Sequence, residues 1–298
     1  MSSEILGGAE NVLKGNLGGA WDIKHGYAAA YTDLGIGRRF GGAAAAYSLR
    51  DVGAMNGPVV DVRCSSGTLP FTALQVSSGD VEAFVGSGND GFVSKWYDQS
   101  GNGRHMIQSD TADQPRIVNS GTLETDPGGN PTIKFLNVGT GLGSTFLENS
   151  SPVALAAGMT QFFVTSVSVD PTGDRFTFAG GASDSCIDDK RLELRRGGTN
   201  KEAPSLEITV GSNEVLVYNT NSSFLAEFHI NASSETATGI TGTAGENAFE
   251  FLGENSASAG NDTFGLQGTM SEAIVYNTDL DTDITNIKNN INSYYSIY

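Results

Sequence analysis

Along the second half of the chain, apolar and polar residues alternate in short runs. The alternation is clearest in Leu192-Glu193-Leu194 and across Phe224–Ile230, and a period of two places alternate side chains on opposite faces of a strand. Turn-forming Gly, Asn, Asp and Ser residues separate the runs. The predicted strands are Thr132–Leu136, Gln161–Val169, Arg175–Ala179, Arg191–Arg195, Ser205–Val210, Glu214–Tyr218, Phe224–Ile230, Ala248–Leu252 and Met270–Tyr276. Their spacing is typical of a β-sandwich.

A helical period appears near the C-terminus. Apolar residues recur there at spacings of three and four, which gives one apolar stripe. The stripe consists of Ile284, Ile287, Ile291, Tyr294 and Tyr295. We expect this helix to dock on the outside of the sandwich, with Asp281 or Thr282 as its cap. A second, shorter helix is expected over Gly79–Val85.

Residues 1–36 differ from the rest of the chain because they show no pattern of an independent core. Glycines at positions 15, 18 and 19 interrupt a weak helical period. We therefore predict an N-terminal arm over residues 1–36, which anchors the protein or contacts another subunit, and one sandwich domain over residues 37–298. The first residues lack the basic and apolar regions of a secretory signal, and no apolar run reaches the roughly 18 residues that span a bilayer. We expect synthesis in a cytoplasm and no membrane insertion.

Composition narrows the classes of partner. The net charge is −17 and the sequence pI is near 4.4, so the surface repels phosphate backbones and anionic membranes. Nucleic-acid binding is therefore not expected. Cys64 and Cys186 are the two cysteines and form no CxxC pattern, so we expect free buried thiols.

The stretch from Trp96 to His105 joins an aromatic strand end to a tight turn. One interpretation is a structural turn beside a core tryptophan, since Asp98 can cap backbone N–H groups and glycine tolerates a positive φ. The other is one wall of a ligand groove, because loops on rigid scaffolds often carry function. Aromatic faces with amides and charges around them are typical of carbohydrate sites. The candidate ligand-binding residues are Trp96, Tyr97, Asp98, Gln99, Asn102 and Arg104.

This turn belongs to an ordered set of segments that carries a family resemblance. The set comprises Ala46–Arg50, Gly57–Arg63, Trp96–Arg104 and Gln114–Val118. It resembles the concanavalin A-like (LamG-like) module of tailed-phage virion proteins, which is distantly similar to the catalytic domain of α-L-arabinofuranosidase B. The resemblance implies an all-β fold, a two-sheet antiparallel jelly-roll sandwich. A C-terminal helix after the last strand is the usual ending of the phage module.

The resemblance also implies two catalytic candidates. A retaining glycosidase needs two carboxyl groups about 5–5.5 Å apart, and the matching positions are Glu193 and Glu254. The enzyme's adjacent cysteine pair is absent, with Cys186 alone nearby, and a Glu replaces its acid/base Asp. The alternative places Glu193 on a wet strand face, paired with Arg191 or Arg195, and makes Glu254 a turn carboxylate.

Three aspartates raise the question of a metal. Asp184, Asp188 and Asp189 are clustered in what we interpret as one loop, and Ca²⁺ prefers oxygen ligands. Their spacing does not match an EF-hand loop, so a solvated acidic loop is the alternative. Calcium apart, no cofactor is expected.

The predicted function follows from the resemblance. We expect a non-enzymatic structural protein on the exterior of a tailed-phage virion, as a head decoration, fibre or baseplate component, with a module that binds host-surface glycans. Its partners would be other virion subunits, including further copies of itself in a homo-oligomer. One alternative is a glycoside hydrolase of arabinofuranosidase type that uses the Glu pair. The other is a ligand-free capsid cement protein.

Overall fold

The structure is a computed structural model that describes residues 41–53, 57–136, 144–154, 158–171, 175–180, 184–196, 199–223, 225–239, 247–248, 250–253 and 265–298. The predicted arm, residues 1–36, and the catalytic candidate Glu254 both lie outside this described part. Predictions about them stay predictions.

Strands dominate the described residues. They are β1 Ala45–Ser48, β2 Pro58–Cys64, β3 Gly67–Thr72, β4 Gly91–Trp96, β5 Met106–Ile107, β6 Arg116–Asn119, β7 Thr122–Leu123, β8 Ile133–Phe135, β9 Leu147–Glu148, β10 Val153–Ala154, β11 Met159–Val167, β12 Arg175–Gly180, β13 Asp184–Asp188, β14 Arg191–Arg196, β15 Thr199–Glu207, β16 Glu214–Thr220, β17 Ala226–Ile230, β18 Ser233–Ala237, β19 Asn247–Ala248, β20 Phe251–Leu252 and β21 Gly268–Tyr276. The helices are α1 Ala73–Ser77, α2 Asp80–Val85 and α3 Ile284–Tyr295, with a 3₁₀ turn at Asp281–Asp283.

Most of the strands pair into two antiparallel ladders, and β10 and β19 form a separate two-stranded sheet. The first runs β18–β17–β16–β11–β21, and β1 and β8 both pair along the far edge of β21. The second runs β15–β14–β13–β12–β20–β9–β5–β4–β2–β3. Strand β6 pairs with both β4 and β8, and so links the two ladders. This architecture confirms the predicted β-sandwich.

The core lies between the two ladders and is rich in aromatic rings. Phe163 of β11 stacks on Phe178 of β12 with 5.3 Å between ring centroids, and Tyr218 of β16 meets Phe163 edge-on at 5.9 Å. The opposite faces of β11, β16 and β21 are buried as well, because they form a second apolar layer against α3. Burial on both faces explains why Met270–Tyr276 shows no clear alternation.

The C-terminal helix α3 confirms the predicted stripe. Ile284, Ile287, Ile291 and Tyr295 are buried against the sheet, whereas Tyr294 is 39% exposed. The predicted capping is wrong: residues 281–283 form a 3₁₀ turn, and the N-cap residue makes no side-chain capping hydrogen bond. In the described part of the chain, no helix combines the length and the apolar character needed to cross a bilayer.

The short helix α2 and the two cysteines also match their predictions. Helix α2 begins at Asp80 directly after Gly79, which has a φ of +89°.

Cys64 and Cys186 are both buried and form no disulfide. The free-thiol prediction is therefore confirmed.

A buried carboxyl group at the start of β16 makes stability depend on pH. Glu214 is 4% exposed, and burial raises its pKa from 4.5 to about 7 although its Oε1 accepts a hydrogen bond from Thr209 N. Between these two pH values the unfolded chain holds fewer protons than the folded one, so stability falls as pH rises. We expect Glu214→Gln to raise the free energy of unfolding by about 2 kcal/mol at pH 8 and to leave it unchanged at pH 4. Urea unfolding at both pH values checks this, and a gain of equal size at both would contradict it.

Candidate functional site

The central turn places its tryptophan in the core. Trp96 has no exposed surface, and its ring lies 5.8 Å from the buried ring of Tyr47. Tyr97 is partly exposed and meets His105 edge-on at 5.0 Å. His105 Nδ1 accepts a hydrogen bond from Asp98 N, and burial lowers the pKa of His105. Of the predicted aromatic platform, Tyr97 is the part that a ligand could reach.

Asp98 binds backbone groups on both sides of the turn. The carboxylate is 5% exposed. Its Oδ1 accepts from Ala46 N at 3.0 Å and Ser100 N at 2.9 Å, and its Oδ2 accepts from Arg104 N at 3.0 Å. The Asp98 side chain therefore stabilises the turn and binds it to β1.

Gln99 makes a second set of bonds to the segment that follows β1. Its Oε1 accepts from Val52 N at 2.9 Å, and its Nε2 donates to the carbonyls of Ser48 and Arg50. The backbones approach so closely that a Cβ at Gly53 would lie 2.5 Å from the Gln99 carbonyl oxygen. The amide group therefore fixes residues 48–53 against the turn.

Asn102 and Arg104 complete the attachment at the start of the described chain. Asn102 Nδ2 donates to the carbonyls of Ala43 and Ala44, and an Arg104 guanidinium nitrogen donates to Ala44 O at 2.7 Å. The polar candidates therefore bind the backbone of residues 43–52, as the structural interpretation of the turn requires. Ligand binding at the turn stays a prediction for all six candidates.

A second group of polar residues lies on the outer face of β13, β14 and β15. Glu193 of β14 stands directly opposite Cys186 on β13 and Glu202 on β15, and directly opposed residues share a face of the sheet. Leu192 and Leu194 point the other way, into the core. We call this outer surface, formed by Asp188, Arg191, Glu193, Arg195 and Glu202, the charged face.

Glu193 is the buried centre of the charged face. It is 1% exposed and forms an ion pair with Arg195 through Oε1. Carboxylate oxygens of Asp188, Glu193 and Glu202 all lie within 4.8 Å of one another, and Glu202 is exposed. The alternative interpretation places Glu193 on a solvent-exposed strand face, paired with Arg191 or Arg195. The predicted exposure is wrong, because Glu193 is buried, and the predicted pairing with Arg195 is confirmed. Strand alternation alone does not indicate whether an outer face is covered.

The three calcium candidates do not form a loop. Asp184 and Asp188 are the two ends of strand β13, and Asp189 follows in the hairpin turn with a φ of +46°. Only Asp188 belongs to the carboxylate group, beside Glu193 and Glu202. This correction follows from the hairpin register, which sequence spacing did not reveal. Calcium binding itself stays a prediction.

Charges of both signs meet on the charged face. Arg191 lies 3.9 Å from a Glu202 oxygen and 3.8 Å from a Glu207 oxygen. Carboxylates accept and guanidinium groups donate hydrogen bonds in fixed directions. The face can therefore bind a ligand that carries several hydroxyl groups, each of which donates and accepts.

Solved structures share this fold. No protein-family model matches the sequence, and no curated protein matches it. A GH54 α-L-arabinofuranosidase soaked with a cyclic sulfate inhibitor matches with a TM-score of 0.56 at 14% identity, over 84% of this chain and 62% of that one. An arabinofuranosidase complexed with arabinofuranosyl-α-1,2-xylobiose matches with a TM-score of 0.53 at the same identity and coverage.

These likenesses define the class of protein by its fold. The chain is an antiparallel β-sandwich of the kind that also forms arabinofuranosidase structures, as the sequence resemblance predicts. It spans 62% of the length of those enzymes. An identity of 14% shows the fold and leaves activity open. The resemblance to the phage module stays a prediction.

Proposed function

We propose that this domain binds carbohydrate and that the charged face is its binding site. The observation that carries the proposal is the buried Glu193 carboxylate, held by Arg195 beside the carboxylates of Asp188 and Glu202. The ion pair with Arg195 fixes Glu193 within the face, and the less buried carboxylates of Asp188 and Glu202 beside it accept strong hydrogen bonds from sugar hydroxyls. The shared fold supports the proposal, because the solved structures of this class include arabinofuranosidases.

The proposed setting is the exterior of a tailed-phage virion, where the domain would act as a homo-oligomeric structural component that binds host-surface glycans. The four ordered segments that resemble the phage module support this setting. Calcium is proposed as an optional bridge between sugar hydroxyls and the carboxylates, because it takes oxygen ligands of both kinds.

A glycan array probed with the wild type and with Glu193→Gln tests the proposal, with and without calcium. The variant should bind its ligand at least about tenfold more weakly, since it breaks the ion pair with Arg195 that fixes the charged face. Glu148→Gln on β9 makes the same charge change away from the face and should retain wild-type affinity. Equal affinity in the Glu193 variant would move the site elsewhere. A folded wild type that binds no glycan would favour the ligand-free cement protein.

The second candidate function is a retaining glycoside hydrolase. The observation that favours it is the group of carboxylate oxygens within 4.8 Å of one another at Asp188, Glu193 and Glu202, because a retaining enzyme holds its two carboxyl groups about 5–5.5 Å apart. The pair Glu193 and Glu254 stays a prediction. Incubation with 4-nitrophenyl glycosides tests this candidate: turnover that is lost in Glu193→Gln would support it, and no turnover by the wild type would remove it.

A further inference from the structure

A row of basic side chains crosses the outer face of the sandwich far from the charged face in the strand order. Arg63 on β2 stands opposite Phe92 on β4, Phe92 opposite Arg116 on β6, and Arg116 opposite Lys134 on β8. Directly opposed residues share a face, and four adjacent strands cover about 15 Å. The neighbouring residues Val62, Val93, Ile117 and Ile133 point inward and are part of the core. We call Arg63, Phe92, Arg116 and Lys134 the basic row.

The basic row has more positive than negative charge although the chain carries −17. Arg116 is ion-paired with Glu124 at 2.7 Å. Within the described part of the chain, Arg63 and Lys134 have no carboxylate within ion-pair distance; Arg63 donates to two neutral oxygens, and Lys134 Nζ donates to Ser168 Oγ at 3.1 Å. Three cations therefore face one carboxylate, which leaves a local excess of positive charge.

Strand β21 lies next to β8 and adds a buried hydroxyl group that has no hydrogen-bond partner among the described residues. Thr269 on β21 stands opposite Lys134 and is 8% exposed. Its Oγ1 is buried and makes no hydrogen bond within the described residues. A buried polar group without a partner costs free energy, so a ligand that reaches this hydroxyl would gain from satisfying it. Phe92 adds an apolar ring, over which the Arg63 guanidinium lies at 4.8 Å.

We propose that the basic row binds a short stretch of an acidic glycan whose sugars carry carboxylate groups. Guanidinium groups bind carboxylates through two parallel hydrogen bonds, and sugar hydroxyls can reach the threonine hydroxyl and the aromatic ring. The bound stretch is short because sugars that extend past the row come within a Debye length, about 8 Å, of the acidic remainder of the surface, which repels them. Burial lowers the pKa of Lys134, Glu124 raises it and Arg116 lowers it again, so a bound carboxylate would stabilise the charged amine.

Titration calorimetry with oligogalacturonate, a sialyl-oligosaccharide and the neutral maltohexaose tests the proposal. We expect at least one of the acidic probes to bind and the neutral one not to bind. The double variant Arg63→Gln/Lys134→Gln should lose at least about tenfold in affinity, since it removes two charge-assisted hydrogen bonds to the ligand. Binding should also weaken as salt is raised.

The matched control is Lys190→Gln/Lys201→Gln, which removes the same two charges outside the row and should retain wild-type affinity. The row variant should in turn keep wild-type affinity for any glycan whose binding depends on the charged face, so this proposal and the charged-face proposal can fail separately. Equal loss in both double variants would overturn the proposal, because only net charge would then matter. It would also be overturned if neither acidic probe bound, or if sedimentation showed the row variant dissociating an oligomer, since the row would then contact a second copy.

Discussion

Arg50→Ala is expected to lower the free energy of unfolding by about 4 kcal/mol, since breaking a buried ion pair leaves its partner charge uncompensated. Glu272 is fully buried on β21. Arg50 Nε lies 2.7 Å from Glu272 Oε2, and a second guanidinium nitrogen lies 2.9 Å from Oε1. Ser48 Oγ donates to the same carboxylate at 2.9 Å. Urea unfolding followed by circular dichroism measures the loss.

Two comparison variants separate the buried pair from a general effect of charge. Lys190→Ala removes a partly exposed cation that is paired with the exposed Asp170, and such surface pairs contribute little. The double variant Arg50→Met/Glu272→Leu removes both charges and should lose less than Arg50→Ala, because an apolar replacement leaves no buried charge. A single-variant loss as small as that of Lys190→Ala would contradict the prediction.

The same pair joins distant parts of the chain. The Arg50 guanidinium lies over the Tyr294 ring at 4.8 Å and near the Tyr295 ring at 5.5 Å, and the Tyr295 hydroxyl approaches Glu272 Oε2 at 3.3 Å. The segment after β1, strand β21 and helix α3 therefore meet at one polar cluster. This contact therefore joins residues 46–50 to the C-terminal helix, two segments far apart in the sequence.

Much of the fold was predictable because the helical and strand periods of apolar residues are local features of the sequence. The apolar stripe Ile284, Ile287 and Ile291 has a helical period, and helix α3 follows it. Strand alternation is clear where one face is covered and absent in the predicted strand Met270–Tyr276, which forms β21 and is buried by both the core and α3. Local periodicity cannot show that a second layer will cover a strand, because the covering helix lies elsewhere in the sequence.

The sites were less predictable because they depend on register. Asp188, Glu193 and Glu202 come together through two hairpins whose pairing includes a bulge in β14. The basic row unites Arg63 and Lys134 from strands far apart in the sequence. Side-chain spacing along one chain does not contain this information, since a shift of one residue moves every side chain to the other face.

The hydrogen-bond partners of the central turn could not be predicted from the sequence either. Its amides and charges have the composition of a carbohydrate site, and a single sequence does not indicate that their partners are backbone groups at residues 43–52. A turn that binds a ligand and a turn that binds its own chain use the same residue types. Mutation distinguishes the two roles.

Asp98→Ala is expected to lower the free energy of unfolding by about 4 kcal/mol, because three backbone N–H groups lose a charged acceptor and a hydrogen bond to a charged group contributes about 1.5–3 kcal/mol. The three donors are the backbone nitrogens of Ala46, Ser100 and Arg104. Thermal and urea unfolding measure the loss. Asp110→Ala is the matched control, since exposed Asp110 accepts from one backbone N–H through its carboxylate and should lose less than about 1 kcal/mol.

Glycan binding by the same variants then separates structure from recognition at the turn. If Asp98 acts only by fastening residues 98–104 to β1, the folded fraction of Asp98→Ala should bind glycan with wild-type affinity well below its melting temperature. A loss of affinity in protein that is still folded would instead place the turn in the binding site, since Tyr97 and Asn102 are the neighbours that a ligand can reach. A stability loss no greater than that of Asp110→Ala would show that β1 is held by other contacts, chiefly the Gln99 amide and its three backbone partners.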